Sequence, residues 1–468
     1  MTLVTTLASC ATGVPQVLSP AIVPKTFVGS AAETESVWPR LDWWEGFGSS
    51  ELSVLIAAAG ADNRALAVSA AQVREARAKA TIQRAALFPQ LSAQVEAQRS
   101  VAIATQPVNN QRLPPSNSFG FNLGASYEFD IWGVERDNLR AAHESLKSTV
   151  FARQALALVL TANVANTYFS VLALRERTAI ANEDIAAING ILDVIKLKVS
   201  TGKSSHLDLA QEQAQVEAVE AQLPVLQEQE AESLVALAVL LGRRPERFEV
   251  LTQSLDGIRP PIVEPGLPSD LLLRRPDVAQ AEANLASAHA NLDAARAAFL
   301  PQFGLTGNGG FASAAIGALL RGPSFAWAAG VNLLQTIFDG GKLIGQRDLA
   351  EATQTELIAS YQGAVLNAYA DVENSLSQVT NNSKAESHLR REIESAHEAF
   401  QISQLQYRQG TIDLLTVLQA QQTLFGARDQ LAQTTLARLQ AVIHLYEALG
   451  GGWMEPSGDR TQFTRDLQ

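Results

Sequence analysis

The fold is decided by the stretch "SFGFNLGASYEFDIWG", residues 118–133. Every second residue in it is apolar: Phe119, Phe121, Leu123, Ala125, Tyr127, Phe129 and Ile131. The residues between them are small or polar. Because side chains alternate between the two faces of a strand, this period of two predicts a β-strand over 119–131 with one apolar and one water-facing side.

Three further stretches alternate in the same way and are also predicted as strands, at 91–97, 303–311 and 325–333. The commoner explanation of one such strand is a small sheet packed on helices in a soluble protein. Two features favour a membrane instead. The strand at 119–131 exceeds the roughly 9–11 residues that cross a bilayer when tilted. The polar sides carry Glu96, Glu128 and Asp130, which favour water over a protein core.

An apolar outside and a wet inside describe a membrane β-barrel. Open sheet edges cannot stand in lipid, so the barrel must close. Bacterial barrels begin at about eight strands, which four strands cannot supply. The pattern therefore predicts an obligate homo-oligomer in which several chains share one barrel.

Long helices are predicted on either side of these strands. The sequence has no proline between Pro115 and Pro224, and none between Pro323 and Pro456. In these gaps, 134–201 and 343–409 have apolar residues spaced by three and four, which predicts helices on the order of 100 Å long. Such helices are typical of a coiled coil or a helical tube.

The chain also repeats itself. Gly202 and Gly410 are 208 positions apart, and so are Leu241-Gly242 and Leu449-Gly450. A nearly constant offset over several landmarks predicts two tandem copies of one unit. The predicted domains are a signal remnant and N-terminal extension (1–40), a first repeat (41–242), a linker (243–276), a second repeat (277–452) and a C-terminal tail (453–468).

Composition excludes several classes of function. The 468 residues carry a net charge of −12, which argues against a nucleic-acid partner. No uninterrupted run of eighteen apolar residues occurs, so no transmembrane helix is predicted. The six histidines are scattered, and motifs of metalloproteases, nucleotide-binding loops and serine hydrolases are absent from the sequence. No enzymatic activity, cofactor or metal is predicted.

Cys10 is the only cysteine and follows Leu7-Ala8-Ser9. This arrangement is typical of a bacterial lipoprotein cleavage site, which predicts that Cys10 carries the lipid. The positive segment that usually begins a signal peptide is missing, because no Lys or Arg precedes Lys25. A chance cysteine in a disordered tail is the alternative.

Four motifs together resemble the outer-membrane efflux family, the TolC/OprM-like channels: "SYEFDIWGVER" (126–136), "LPSDLLLRRPDVAQAE" (267–282), "IFDGGKL" (337–343) and "YEALGGGW" (446–453). The resemblance covers roughly residues 43–453, and Cys10 points to the NodT-type lipoprotein branch. It implies a mainly α-helical homotrimer with a long helical tube and a shared twelve-stranded barrel, four strands coming from each chain.

The resemblance also implies a function. Such a protein is the passive exit duct of a tripartite efflux pump for drugs or other toxic small molecules. It sits in the outer membrane of a Gram-negative bacterium and extends into the periplasm, where it binds a periplasmic adaptor and an inner-membrane transporter. The alternative is a periplasmic, lipid-anchored helical scaffold or adaptor, for which an apolar belt on the strands has no use.

Site residues are implied by the same resemblance. The family's helix-turn ends form the periplasmic entrance, and its turn glycines map to Gly202 and Gly410, which would contact the adaptor with Lys203 and Thr411. The positions of the family's acidic rings are occupied by Thr416 and Gln419 in the second turn and by Asp208 in the first; Asp413 is a substitute charge. Asp208 has two interpretations. Repeated by symmetry, it would form a ring of three negative charges; alternatively, it only stabilises the N-terminal end of its helix. The predicted lipid-facing residues of the barrel are Phe119, Phe121, Phe129, Phe325 and Trp327.

Overall fold

The computed structural model describes residues 40–101, 115–261 and 274–453. Cys10, the N-terminal extension and most of the C-terminal tail lie outside the described residues. In the part described, eight α-helices and four strands follow in chain order: α1 (Ser50–Asp62), α2 (Arg64–Ala85), β1 (Gln90–Ser100), β2 (Ser116–Phe129), α3 (Val134–Ser200), α4 (His206–Glu220), α5 (Gln222–Leu240), α6 (Pro276–Ala297), β3 (Gln302–Ser313), β4 (Phe325–Leu334), α7 (Lys342–Gln409) and α8 (Leu414–Ala448). Short 3₁₀ turns include Trp43–Phe47 and Pro245–Arg247.

The described residues form two compact units, each built from both halves of the sequence. The helical unit consists of the described parts of Met1–Ala71, Val150–Gln280 and Gln362–Gln468. The sheet unit consists of the described parts of Gln72–Thr149 and Ala281–Tyr361. The two tandem repeats predicted from the sequence remain a prediction about its internal similarity.

The sheet unit contains one antiparallel sheet in the order β1-β2-β3-β4. Leu123 of β2 lies opposite Ala93 of β1 and Gly309 of β3, and Gly309 lies opposite Trp327 of β4. Since directly paired residues share a face, the odd-numbered positions of all four strands lie on one side. The predicted alternation is therefore continuous across the whole sheet.

A carboxylate caps the next helix in both strand-to-helix connections, which follow β2 and β4. β2 stops at Phe129, two residues before the predicted end, because the Asp130 carboxylate accepts hydrogen bonds from the backbone N–H groups of Glu135 and Arg136, at 3.1 and 3.0 Å. In the second half Asp339 does the same for Gly341, Lys342 and Leu343 at the start of α7. A helix N-terminus left without such acceptors would keep unpaired donors.

Two helical segments are interrupted. The segment over 50–85 breaks at Asn63, whose side chain caps α2 through the backbone N–H of Leu66 (3.0 Å) and donates to the carbonyl of Leu240 (2.8 Å). The return helix that follows the first turn divides at Ala221, just before Pro224. Proline lacks the N–H that would continue the helical hydrogen-bond pattern.

The core of the helical unit is aromatic around the first 3₁₀ turn. The rings of Trp43 and Tyr446 are stacked with centroids 4.9 Å apart, and Phe47 packs on Phe169 at 5.2 Å. Tyr168, fully buried, hydrogen-bonds with Ser49 at 3.0 Å.

The long helix α3 contains an 18-residue window whose mean hydropathy, 1.5, is high enough for a membrane span by length and composition. No transmembrane helix was predicted from the sequence, because no uninterrupted run of eighteen apolar residues occurs; a window can reach this mean hydropathy without such a run. Within the protein, 44% of that window is buried. A core helix of a soluble unit has the same property, so the window alone is weak evidence for a membrane helix.

Candidate functional site at the sheet face and the hairpin turns

The apolar face of the sheet is the first candidate site. All five predicted lipid-facing residues lie on it, because they occupy the odd-numbered positions: Phe119, Phe121, Phe129, Phe325 and Trp327. Trp327 keeps 73% of its surface exposed, and Val95 keeps 77%. Exposed apolar side chains in a contiguous patch mark an interaction surface for protein or membrane.

The opposite face of the sheet is polar or small except for Leu334 at the end of β4. It presents Gln94, Glu96, Asn122, Glu128 and Asn332 at paired even-numbered positions. In the described part of the chain β1 and β4 each have one strand neighbour, so both outer edges of the sheet are unpaired. Such edges are templates for pairing with further strands.

The second candidate site is the pair of turns that join α3 to α4 and α7 to α8. Gly202 has φ +69° and Gly410 has φ +79°, the left-handed conformation that ends many helices. Each turn closes with the same two bonds. In the first turn the Gly202 N–H donates to the backbone carbonyl of Val199, and the Lys203 N–H donates to that of Lys198. In the second turn the Gly410 N–H donates to the carbonyl of Tyr407, and the Thr411 N–H donates to that of Gln406.

The two turns are neighbours in the helical unit. The Lys198 amine donates to the backbone carbonyl of Tyr407 at 2.7 Å and lies 3.7 Å from the centroid of its ring. An apolar cluster beneath them joins Ile195 of α3 to Val417 of α8. The four predicted adaptor-contacting residues are thus brought together on one exposed end, which consists of Gly202, Lys203, Gly410 and Thr411.

Asp208 is held within its own turn. One carboxylate oxygen accepts from the Ser204 hydroxyl at 2.7 Å and from the Ser205 backbone N–H at 3.0 Å, while the Asp208 N–H donates to Ser205 Oγ at 3.1 Å. This is a reciprocal capping box at the start of α4. The hydrogen bond from Ser204, followed by that from Ser205, lowers the pKa of Asp208, so the carboxylate is ionised at neutral pH.

The second turn uses the same two positions with the chemical groups exchanged. Asp413, which is 208 positions after Ser205, is the N-cap of α8 and accepts from the Thr416 N–H at 3.0 Å and its hydroxyl at 2.6 Å. Thr416 is 208 positions after Asp208. The Thr416 hydroxyl hydrogen bond lowers the pKa of Asp413. Each turn therefore holds one ionised carboxylate, and the acid missing at 416 is present one helical turn earlier.

The remaining predicted entrance residue, Gln419, is exposed on α8.

Sequence reasoning missed a further residue of this end, Glu212, which is completely buried on α4. The signal was the spacing of Leu209, Glu212, Val216 and Val219, which places a glutamate in an otherwise apolar helix face.

The chain is similar to known outer-membrane efflux proteins. The chain matches the family model described as outer membrane efflux protein over residues 55–243 and 267–451. It is 38% identical over 418 residues to the pyoverdine export outer membrane protein OpmQ of Pseudomonas aeruginosa, covering 88% of this chain and 87% of OpmQ. It is 30% identical over 416 residues to the cation efflux system protein CusC of Escherichia coli, covering 88% of each chain.

A solved structure has the same fold. The open state of the Neisseria gonorrhoeae MtrE outer membrane channel superposes with a TM-score of 0.82 at 28% sequence identity, covering 92% of this chain and 96% of that one.

Proposed function

The chain belongs to the outer membrane efflux protein family, and from that premise we propose that it is the outer-membrane exit duct of a tripartite efflux pump. The observation that carries this proposal is the continuous, exposed apolar face across four strands whose outer edges are unpaired. Lipid would cover that face, and strands of neighbouring copies would pair with the edges.

Three copies are proposed to pool their strands into one twelve-stranded barrel. Four strands per chain fall below the roughly eight at which bacterial barrels begin, and three chains exceed it. The polar face with Glu96 and Glu128 would then line a water-filled passage. The proposed duct is passive and performs no enzymatic chemistry, so the driving energy would come from an inner-membrane transporter.

The exported compounds are proposed to be small molecules, such as drugs or other toxic compounds. The names of the relatives include pyoverdine export for OpmQ and cation efflux for CusC. Relatives of this chain are thus named for very different exported compounds. This difference supports selection of the compound by the transporter rather than by the duct.

The exposed end of the two turns is proposed as the periplasmic entrance and adaptor contact. Gly202, Lys203, Gly410 and Thr411 would meet the adaptor. Asp208 and Asp413, repeated in three subunits, would form a ring of six carboxylates, near which Thr416 and Gln419 are hydroxyl and amide groups. A ring of carboxylates favours cations over anions.

Planar-bilayer recording of the detergent-purified protein tests the function. The proposed duct should insert and conduct in discrete steps, with the permeability for K⁺ exceeding that for Cl⁻. A lipid-anchored periplasmic scaffold would stay soluble after removal of its lipid and carry no current. That result would overturn the proposed function.

The Asp208→Asn variant tests the proposed acidic ring. The amide oxygen still accepts from Ser204 and Ser205, so the cap of α4 is kept while three charges per trimer are lost. We expect the K⁺/Cl⁻ permeability ratio to fall by about twofold or more. The control is Ser205→Ala, which weakens the cap but leaves the charge; it should retain the wild-type ratio. Equal ratios in Asp208→Asn and wild type would contradict the ring.

Lipidation of Cys10 is proposed from its place after Leu7-Ala8-Ser9. Cells expressing the protein and fed an alkyne fatty acid should label the wild type. Cys10→Ser should carry no label, because the acylated thiol is absent. Labelling that persists in Cys10→Ser would overturn the assignment.

A further inference from the structure

Glu212 occupies a core position of α4. Val216 and Val219, on the same face of the helix, pack against Ile188 and Leu192 of α3. Glu212 has no exposed surface. The position 208 residues later is Ala420, which packs against the apolar cluster of the second turn. A glutamate therefore stands where the other half of the chain uses a small apolar residue.

The Glu212 carboxylate has no hydrogen-bond partner in the described part of the chain. Both of its oxygens are buried and accept no bond. A charged carboxylate in such a place is strongly disfavoured, because burial removes its water and nothing replaces it. The neutral, protonated acid is the form that fits this packing.

Charged and polar groups from the surrounding helices act on Glu212. From α3, Asp184 is close enough to repel its charge. From α7, Tyr407 interacts with the charges of both Glu212 and Asp208. From α8, Gln421 donates to Asp184 at 2.9 Å.

Cations interact with the neighbours of Glu212. Arg428 of α8 interacts with Asp184, and Lys198 of α3 lies over the ring of Tyr407. Burial, with the repulsion of Asp184 added, raises the pKa of Glu212 to about 7. Burial also raises the pKa of Asp184.

We propose that Glu212 is a proton-binding site that holds α4 against α3 and α7 while it is protonated and loosens this packing when it ionises. The geometry carries the proposal: a fully buried carboxyl whose two oxygens have no donors, on a helix face whose valines pack against α3. The consequence for the entrance, that α4 moves more readily at higher pH, rests on the proposed function.

Hydrogen exchange of the full-length trimer in detergent tests the proton site. The stabilisation of the packed form by protonation is complete below the ordinary glutamate pKa of 4.5 and is lost as the pH rises to about 7. The opening constant of the α4 amides, corrected for the intrinsic exchange rate, should therefore rise with pH across that window and level off above it. We expect an increase of at least about tenfold between pH 5 and pH 8.

Glu212→Gln keeps the shape but cannot ionise, so its opening constant should be nearly the same at pH 5 and pH 8. The matched control is Glu217→Gln, an exposed glutamate on the same helix, which should titrate as the wild type does. Infrared spectra give a second readout: the wild type should lose a protonated-carboxyl band near pH 7 that Glu212→Gln lacks. A pH response retained in Glu212→Gln, or absent from the wild type, overturns the proposal.

The link to the entrance is measured separately in bilayers. Wild-type open probability should rise from pH 6 to pH 8, and Glu212→Gln should remove that rise. A pH-dependent exchange with constant conductance would uphold the proton site but reject its effect on the entrance. A protein without conductance at any pH would reject the proposed function and leave the exchange result standing.

Discussion

Leu123→Arg should leave almost no assembled trimer in the outer membrane. Leu123 lies in the middle of β2, is 53% exposed and belongs to the apolar face, opposite Ala93 and Gly309. If lipid covers this face, an arginine there costs about 2–4 kcal/mol at the bilayer midplane. The cost is incurred once per subunit, so it acts three times on one barrel.

The neighbouring residue provides the matched control. Asn122→Arg introduces the same side chain into the same strand, but on the polar face, opposite Gln94 and Gly310. There the guanidinium would point into water, and we expect assembly close to wild type. Outer-membrane fractions probed for crosslinked trimer measure both. Equal assembly of the two variants would contradict a lipid-facing role for the odd-numbered positions.

The strands could be predicted because alternation is a local signal. The apolar residues from which the strands were predicted, such as Phe121 and Trp327, lie on one face of the sheet. The family and fold predicted from the four motifs are confirmed by the comparisons. The number of subunits came from the resemblance, because one strand pattern shows that a barrel must be shared but not by how many chains.

The positions that sequence reasoning missed depend on how the helices pack on one another. Asn63 ends α1 because its side chain also binds Leu240 of α5. Glu212 has a local signal in the apolar spacing of α4, but its complete burial depends on the packing of α4 on α3. The exchange of groups between the two helix N-caps was accessible, since the 208-residue offset aligns Ser205 with Asp413 and Asp208 with Thr416.

Gly450→Ala should destabilise the protein severely, whereas Gly410→Ala should have a modest effect. Both glycines end a helix with positive φ, +83° and +79°. Alanine in this conformation costs about 1–2 kcal/mol at either site. An added Cβ at Gly410 meets no atom within 4 Å, but at Gly450 it would overlap the backbone carbonyl of Arg274.

The backbone at Arg274 cannot easily move away from the added methyl group. The next residue, Arg275, is anchored by Asp277 at 2.7 Å, by Asp371 at 3.0 Å and by the carbonyl of Ala448 at 3.3 Å. Relief of the overlap would break part of this network around the buried Arg275 side chain, so we expect a total loss of about 3 kcal/mol or more for Gly450→Ala. Thermal unfolding of the detergent-solubilised protein, followed by circular dichroism, should show a much larger decrease in Tm than for Gly410→Ala. Similar decreases for the two variants would mean that left-handed strain alone, without the close approach of the Arg274 backbone to Gly450, sets the cost.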